Sequence, residues 1–322
     1  MARFKNGVVK YFKDNIGIII ALLAMCVFLI VFPTTRSTFL TQKNIFNILR
    51  QNASNLFLAT GMTMVIILGG IDLSVGSVIA LSGCVAAGCV VHLGMPEVFA
   101  FLIAIGIGAL VGMANGLVIC KTNIPPFIVT LASMNIVKGI ALVYTQGAPI
   151  RCMTDAFKFP GAGYVGPIPT PVILMLIIFV IAIVLVNRTH FGRHIYAVGG
   201  NAQAARFSGI NVSKVKFWVH TFIGIMAGIA GVVVASRLYS GQPMAGDGAE
   251  MDAIAAVVVG GTSMSGGSGR LGGTLIGVLI IGVLNNGLNL MGVDSNWQYI
   301  VKGFVILLAV YVDFIRNRKA GR

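Results

Sequence analysis

Long apolar segments alternate with short polar ones along almost the whole chain. A segment of about 20 apolar residues is long enough to cross a membrane as a helix. The pattern predicts ten crossings, at residues 16–33, 53–70, 73–92, 97–119, 125–145, 170–187, 215–235, 251–262, 271–290 and 297–315. The eighth segment is short and ends in glycine, which favours a half-helix or re-entrant element. The predicted fold is an all-α polytopic bundle that forms a single transmembrane domain over residues 1–322.

Composition supports a membrane protein. Apolar residues make up 57% of the chain and charged residues only 10%, whereas soluble domains have about 25% charged residues. The formal net charge of +14 raises the question of nucleic-acid binding. The basic residues, however, lie between apolar segments and at both ends of the chain. This distribution is typical of a protein oriented in lipid, and no nucleic-acid partner is predicted.

Lysine and arginine also predict the orientation, because they concentrate on the cytoplasmic side of membrane proteins. With both termini cytoplasmic, the inner segments hold Arg3, Lys5, Lys10, Lys13, Lys121, Arg188, Arg193, Arg206, Lys214, Lys216, Arg270, Arg316, Arg318, Lys319 and Arg322. The outer segments hold only Arg36, Lys43, Arg50, Arg151, Lys158 and Arg237. Three of these fall at or near residues 39–52, FLTQKNIFNILRQN, which is predicted to form an amphipathic surface helix.

The longest polar interval, residues 187–216, carries five basic residues and no acidic one. Asn201, or Gly200 before it, can cap a short helix over residues 202–207, and Gly209 can end that helix. A short helix lying across the inner membrane face would be a docking surface. The alternative is a solvated basic loop that only fixes the topology.

Two stretches of the chain resemble each other. Met64 to Leu81 and Ala256 to Gly273 each contain an apolar run, a Gly-Gly pair and a polar Ser/Gly turn. Paired glycine-interrupted segments often mark the pathway or gates of a transporter, although both stretches are equally compatible with tight hairpins. Both turns are predicted to be cytoplasmic, with Asp72 capping the third crossing. In the fourth crossing, Gly108, Gly112 and Gly116 form a small-residue face for a helix of the same chain or of a second copy.

The sequence has none of the common catalytic or nucleotide-binding motifs. It contains no HExxH, GxSxG or CxxC motif, and GGSGRLGG lacks the Lys of a phosphate-binding loop. His190 and His194 have helical metal-ligand spacing, but Gly192 lies between them without a nearby carboxylate, so a basic loop is favoured. The five cysteines are interpreted as small core residues. No catalytic residue, metal or cofactor is predicted in this chain.

Polar groups within the crossings are the candidates for a translocation path. Acidic residues are scarce there, whereas neutral amides and hydroxyls are common, which suits an uncharged sugar or polyol better than an ion. The alternative is that these groups only hydrogen-bond one helix to another. Lys138 faces either a wet cavity or the outer interface. The candidate path or gate residues are Asp72, Ser74, Lys138, Asn285 and Asn289.

Four stretches carry a resemblance to a known family: Gly61 to Gly83, Gly192 to Lys216, Ala245 to Gly277, and Asn285 to Val293. Together they resemble the permease subunits of ribose/xylose/galactose-type carbohydrate ABC importers, most closely those for ribose. The resemblance extends over nearly the whole chain. It implies a multi-pass protein of the bacterial inner membrane that has no enzymatic activity of its own.

The resemblance also implies three kinds of protein partner. Such permeases work in pairs, of identical or related chains, with a cytoplasmic ATP-binding subunit that binds ATP and Mg²⁺ and an extracytoplasmic sugar-binding protein. A coupling loop is expected at about 188–214, and its expected ATPase-coupling residues are Gly192, Arg193, Asn201, Ala204, Ala205, Arg206, Ser208 and Gly209. The family often has an acidic residue after the asparagine. Ala202 and Gln203 stand there in this chain, which weakens the prediction of a salt bridge to the ATPase.

Two alternative functions remain at this point. An ion-coupled secondary carrier or channel would work without an ATPase, but the scarcity of intramembrane acids disfavours it. A permease of the same family for a nucleoside, inositol or an autoinducer-type sugar is also compatible with the sequence.

Overall fold

The computed structural model describes residues 16–319, which are mostly helical. The first seven helices are α1 (Ile16–Val31), α2 (Gln42–Ile67), α3 (Val75–Val91), α4 (Glu97–Lys121), α5 (Pro126–Thr145), α6 (Asp155–Ala162) and α7 (Thr170–Arg188). They are followed by α8 (His190–Gly200), α9 (Ala202–Phe207), α10 (Val212–Leu238), α11 (Ala249–Val259), α12 (Leu271–Leu290) and α13 (Ser295–Lys319). Arg3, Lys5, Lys10, Lys13 and Arg322, on which part of the predicted orientation rests, lie outside the described range.

Four short strands complete the described fold. β1 (Ile150–Arg151) pairs antiparallel with β4 (Ser240–Gly241), and β2 (Tyr164–Val165) pairs antiparallel with β3 (Ile168–Pro169). The β1–β4 pair joins two segments that were both predicted to be outer loops. Those loops therefore meet at the same end of the bundle.

Within residues 16–319, five helices, α4, α5, α7, α10 and α12, are long and apolar enough to cross a membrane. The shortest of them has 19 residues, which corresponds to about 29 Å and matches the hydrocarbon thickness. Helices α1 and α3 are apolar but shorter, and α11 has only 11 residues, in keeping with the short element expected there. The helical multi-pass class is thus established, while the count of ten crossings stays a prediction.

Helix α2 differs from the prediction. The proposed surface helix and the second crossing form one continuous helix of 26 residues. Its first half is held in the bundle because Asn44 and Asn286 of α12 exchange two amide hydrogen bonds, of 3.0 and 2.8 Å. The pair satisfies the polar groups on the buried side of this half, while Gln42, Lys43 and Gln51 stay exposed. The segment is helical, as predicted, with Asn44 and Ile48 buried and Lys43 and Ile45 exposed; its position at the membrane surface stays a prediction.

Helix α10 lies at the centre of the bundle and packs on α4. It starts with a side-chain cap, in which Asn211 Oδ1 accepts from the backbone N–H of Lys214 at 2.9 Å. Along the crossing, Gly108 and Gly112 of α4 lie directly against the backbone of Gly224 and its neighbours in α10. The glycine face predicted in the fourth crossing thus packs on a helix of the same chain.

Adding one methyl group tests this crossing. A Cβ on Gly112 would clash with a backbone carbonyl of α10, whereas a Cβ on Gly106 of the same helix would meet open space. Alanine favours a helix over glycine by about 1 kcal/mol. Gly106→Ala should therefore keep or raise the thermal midpoint of the detergent-purified protein, and Gly112→Ala should lower it. Equal midpoints, measured by tryptophan fluorescence, would contradict the crossing.

Candidate coupling site and polar cavity

The basic interval folds into two helices, α8 and α9, where the sequence predicted a loop with one short helix. Thr189 caps α8 by accepting from the backbone N–H of Gly192 at 3.3 Å. Gly192 is buried against the backbone of Val186, so α8 folds back tightly on α7. His190 Nδ1 lies 2.7 Å from a guanidinium nitrogen of Arg193, on the exposed side. Within residues 16–319, no group of His, Cys, Asp and Glu side chains is arranged to hold a metal ion.

The two similar glycine turns meet under α8. The backbone N–H of Gly267, in the second turn, donates to the carbonyl of Ile67, just before the first turn, at 2.8 Å. Gly199 of α8 lies against both residues so closely that a Cβ would overlap the Ile67 carbonyl. We call this contact of Gly199, Ile67 and Gly267 the docking point, and the end of the bundle that contains it the basic end.

Tyr196 adds a second attachment of α8 to the turn at the basic end. Its hydroxyl donates to the carbonyl of Gly269 at 2.9 Å. Burial raises the pKa of Tyr196, an effect that the positive charge of Arg270 opposes. The hydroxyl therefore remains protonated, and able to donate, at neutral pH.

Helix α9 has the local structure that the sequence predicts. Asn201 Oδ1 accepts from the backbone N–H of Ala204 at 2.9 Å, and Gly209 has φ +83°, a conformation that favours glycine. Ala205 is buried, while the other predicted coupling residues of this stretch, Asn201, Ala204, Arg206, Ser208 and Gly209, are exposed. Phe207, which was not among the predicted coupling residues, is 91% exposed at the end of α9. Its position as a large apolar residue within a basic polar interval could have indicated a contact surface.

Two cavities lie toward the other end of the bundle. Their volumes are about 390 and 500 Å³, and they share the lining residues Gln51, Asn55, Arg237 and Asp252. We refer to the two together as the polar cavity. Gln51 and Asn55 precede Ile67 in α2 by 16 and 12 residues, which places them about 24 and 18 Å from the docking point along the helix. The docking point and the polar cavity are therefore joined by one helix.

Ion pairs organise the walls of the polar cavity. Asp252 of α11 lies 3.0 Å from Lys302 Nζ and accepts from Asn285 Nδ2 at 3.3 Å. Lys138 Nζ of α5 lies 3.0 Å from both carboxylate oxygens of Asp247, another lining residue. The sequence analysis placed Lys138 in a cavity or at the interface without identifying this partner.

Three other candidate path residues, Asp72, Ser74 and Asn289, do not line the polar cavity. Asp72 Oδ1 accepts from the backbone N–H of Ser74 at 2.9 Å and from its hydroxyl at 2.6 Å. Asn115 Nδ2 completes this buried network by donating to Ser74 Oγ at 3.0 Å. The residue just before α3 is Ser74, whose side chain makes no capping hydrogen bond to the helix; the Asp72 carboxylate accepts the Ser74 N–H instead, in agreement with the predicted capping role of Asp72. Asn289 accepts from Gln298 at 2.8 Å, whereas Asn285 alone of the two amides lines the cavity.

A bundle of long apolar helices with a short exposed helix at one end and a polar cavity toward the other is the architecture expected of a membrane permease. The chain belongs to the family described as branched-chain amino acid transport system / permease component, which it matches over residues 44–310. The family membership and the five apolar helices confirm the prediction of a multi-pass protein of the bacterial inner membrane.

Three relatives illustrate the similarity. The chain is 51% identical to ribose import permease protein RbsC of Bacillus subtilis (strain 168), covering 90% of this chain and 91% of that protein. It is 48% identical to the Escherichia coli (strain K12) protein of the same name, covering 91% and 92%. The xylose transport system permease protein XylH of E. coli (strain K12) is 35% identical, with 95% and 94% covered. No solved structure matches the chain. The resemblance drawn from the sequence is thereby confirmed.

The docking point can be tested with two adjacent glycines. A Cβ at Gly199 would overlap the Ile67 carbonyl, while a Cβ at Gly200 would meet open space. Gly199→Ala should therefore loosen α8 and speed tryptic cleavage after Arg193 and Arg206, measured by mass spectrometry on the detergent-purified protein. Gly200→Ala should be cleaved at the wild-type rate. Identical cleavage of both variants would contradict the docking geometry.

Proposed function

We propose that the chain is the membrane-spanning permease subunit of an ATP-driven importer for ribose or a related monosaccharide. The observation that carries the proposal is its 51% and 48% identity, over nine-tenths of the chain, to two proteins named ribose import permease. The exposed α9 supports a role beside a second protein. In this proposal the chain does not hydrolyse ATP, and a separate cytoplasmic subunit binds ATP and Mg²⁺.

The contacts at the basic end suggest how the two proteins communicate. The ATP-binding subunit contacts α9 through the exposed Phe207 and Arg206, and its closure on ATP pushes α8. Because Gly199 leaves no free space at the docking point, a displacement of α8 shifts Ile67 and the whole of α2. The polar cavity then changes the side to which it opens. This is alternating access driven by a partner.

The opposite end is proposed to receive the sugar. The β1–β4 pair fixes the segments 146–169 and 236–250 beside each other, and they form the contact for an extracytoplasmic sugar-binding protein. A second permease copy, or a related permease, completes the transporter in the membrane. The basic end faces the cytoplasm in this arrangement, in accordance with the distribution of lysine and arginine.

The test is reconstitution with the ATP-binding subunit and the sugar-binding protein, co-expressed and purified together, in proteoliposomes. The proposal predicts that the ribose-loaded binding protein stimulates ATP hydrolysis and that ATP drives ribose uptake. Xylose, inositol, a nucleoside, an autoinducer-type sugar and leucine are compared as substrates. Uptake driven by an ion gradient in ATP-free vesicles would contradict the proposal and support a secondary carrier.

Phe207 provides a specific test of the coupling role. A hot-spot residue contributes about 2 kcal/mol or more to an interface, so Phe207→Ser should weaken binding of the ATP-binding subunit about 30-fold if Phe207 is the main anchor. The variant should fold normally because the side chain contacts little of the bundle.

Ile124→Ser is the matched control. Ile124 is 44% exposed in the linker between α4 and α5, also predicted to be cytoplasmic but not part of α9. Affinity is measured by titrating the ATP-binding subunit onto permease in nanodiscs. Wild-type affinity of Phe207→Ser would exclude α9 as the main contact.

A further inference from the structure

Buried polar atoms without partners are concentrated around the polar cavity. Among the described residues, ten buried side-chain nitrogen or oxygen atoms lack a hydrogen-bond partner. Five of them belong to residues that line the polar cavity: Arg50 Nε, Asn52 Nδ2, Asn55 Oδ1, Arg237 Nη1 and Asn285 Oδ1. A buried polar group that is left unpaired destabilises the fold. Their convergence on one cavity indicates that a ligand supplies the missing partners.

Asn52 is the most informative of these residues. It is only 3% exposed and lies against Gly282 of α12, and both residues line the cavity. Its Nδ2 has no partner. Buried polar groups are normally hydrogen-bonded, so this amide is available to a molecule that enters the cavity.

The chemistry of the free atoms identifies the class of ligand. Arg50 Nε, Asn52 Nδ2 and Arg237 Nη1 are donors, whereas Asn55 Oδ1 and Asn285 Oδ1 are acceptors. A sugar hydroxyl both donates and accepts, so a polyhydroxy compound satisfies this mixed set. Volumes of about 390 and 500 Å³ fall within the usual range for small-molecule sites.

Two features disfavour a simple ion in the same place. Asp252 is already paired with Lys302, and the described residues contain no His, Cys, Asp or Glu cluster able to hold a metal cation. Free acceptor oxygens on Asn55 and Asn285 disfavour an anion, which needs donors only.

We propose that the polar cavity is a transient binding site for an uncharged sugar, in which Asn52, Asn55, Arg237 and Asn285 hydrogen-bond its hydroxyls. The site rests on the proposed function and adds a second point of substrate recognition, within the membrane bundle. Its role is to hold the sugar after the delivering protein releases it and before the bundle opens to the other side.

The experiment uses the complete reconstituted transporter with saturating sugar-binding protein. Asn55→Leu removes the acceptor at nearly constant volume, and Arg237→Met removes the donor. Each should reduce ATP-driven ribose uptake at least tenfold, while stimulation of ATP hydrolysis by the loaded binding protein stays within twofold of wild type. Ser236→Ala is the control, because Ser236 has a buried, unpartnered hydroxyl beside Arg237 in sequence but does not line the cavity. It should transport at the wild-type rate.

Direct binding completes the test. Saturation-transfer NMR on the wild-type transporter without its binding protein should detect ribose and ribitol, and the signals should disappear in Asn55→Leu. Because Asn55→Leu changes no charge, it still tests the sugar site if Arg237→Met does not fold. Stronger binding of ribose 5-phosphate than of ribose would overturn the proposal in favour of an anion site.

The two proposals fail in different ways. Wild-type ribose uptake by both cavity variants would overturn the sugar site and leave the importer function intact. Absence of ATP-driven sugar uptake by the wild-type transporter would overturn the proposed function itself.

Discussion

Close contact between backbones at glycine residues is the constraint on which the bundle depends. Burial of apolar side chains drives helices together only weakly in lipid, so packing and hydrogen bonds decide how they associate. Here Gly112 and Gly224 bring α4 onto α10, Gly277 brings α12 onto α11, and Gly199 brings α8 onto the end of α2. The Cβ of an alanine at any of these glycines would overlap the backbone of the facing segment. Because no free space separates the two segments, we expect a displacement of one to move the other.

The continuity of α2 joins the two functional ends. Its C-terminus forms the docking point, and its middle turns form a wall of the polar cavity. Two polar contacts tie it to α12: Thr63 and Thr274 share a 2.7 Å hydroxyl hydrogen bond, and Asn44 and Asn286 exchange amide bonds. Helices α2 and α12 thus form one unit with contacts to both ends, which is the physical basis of the mechanism proposed for this permease.

The sequence predicted the features that depend on local chemistry. The lengths of the apolar segments predicted most helices, and Asn201 and Gly209 predicted α9. The similarity of the two glycine turns was visible in the sequence, but their contact was not. Features that depend on distant partners could not be predicted in this way. Asn44, in the polar first half of α2, is buried because it pairs with Asn286 of α12. Asp252 forms an ion pair with Lys302, which lies 50 residues later in the sequence. Arg237 was counted with the outer loop because hydropathy does not show that the last turn of α10 is half-buried beside a cavity.

In the proposed mechanism, ATP binding at the basic end changes access to the polar cavity. This change of access is tested most directly by placing a cysteine at Ser54, a buried lining residue, in a chain whose partly exposed Cys26 and Cys120 are replaced by serine. Its reaction with a membrane-impermeant thiol reagent is measured from the extracytoplasmic side of the assembled transporter. We expect labelling without nucleotide and strong protection when a non-hydrolysable ATP analogue is bound. Equal labelling in the two states would contradict it.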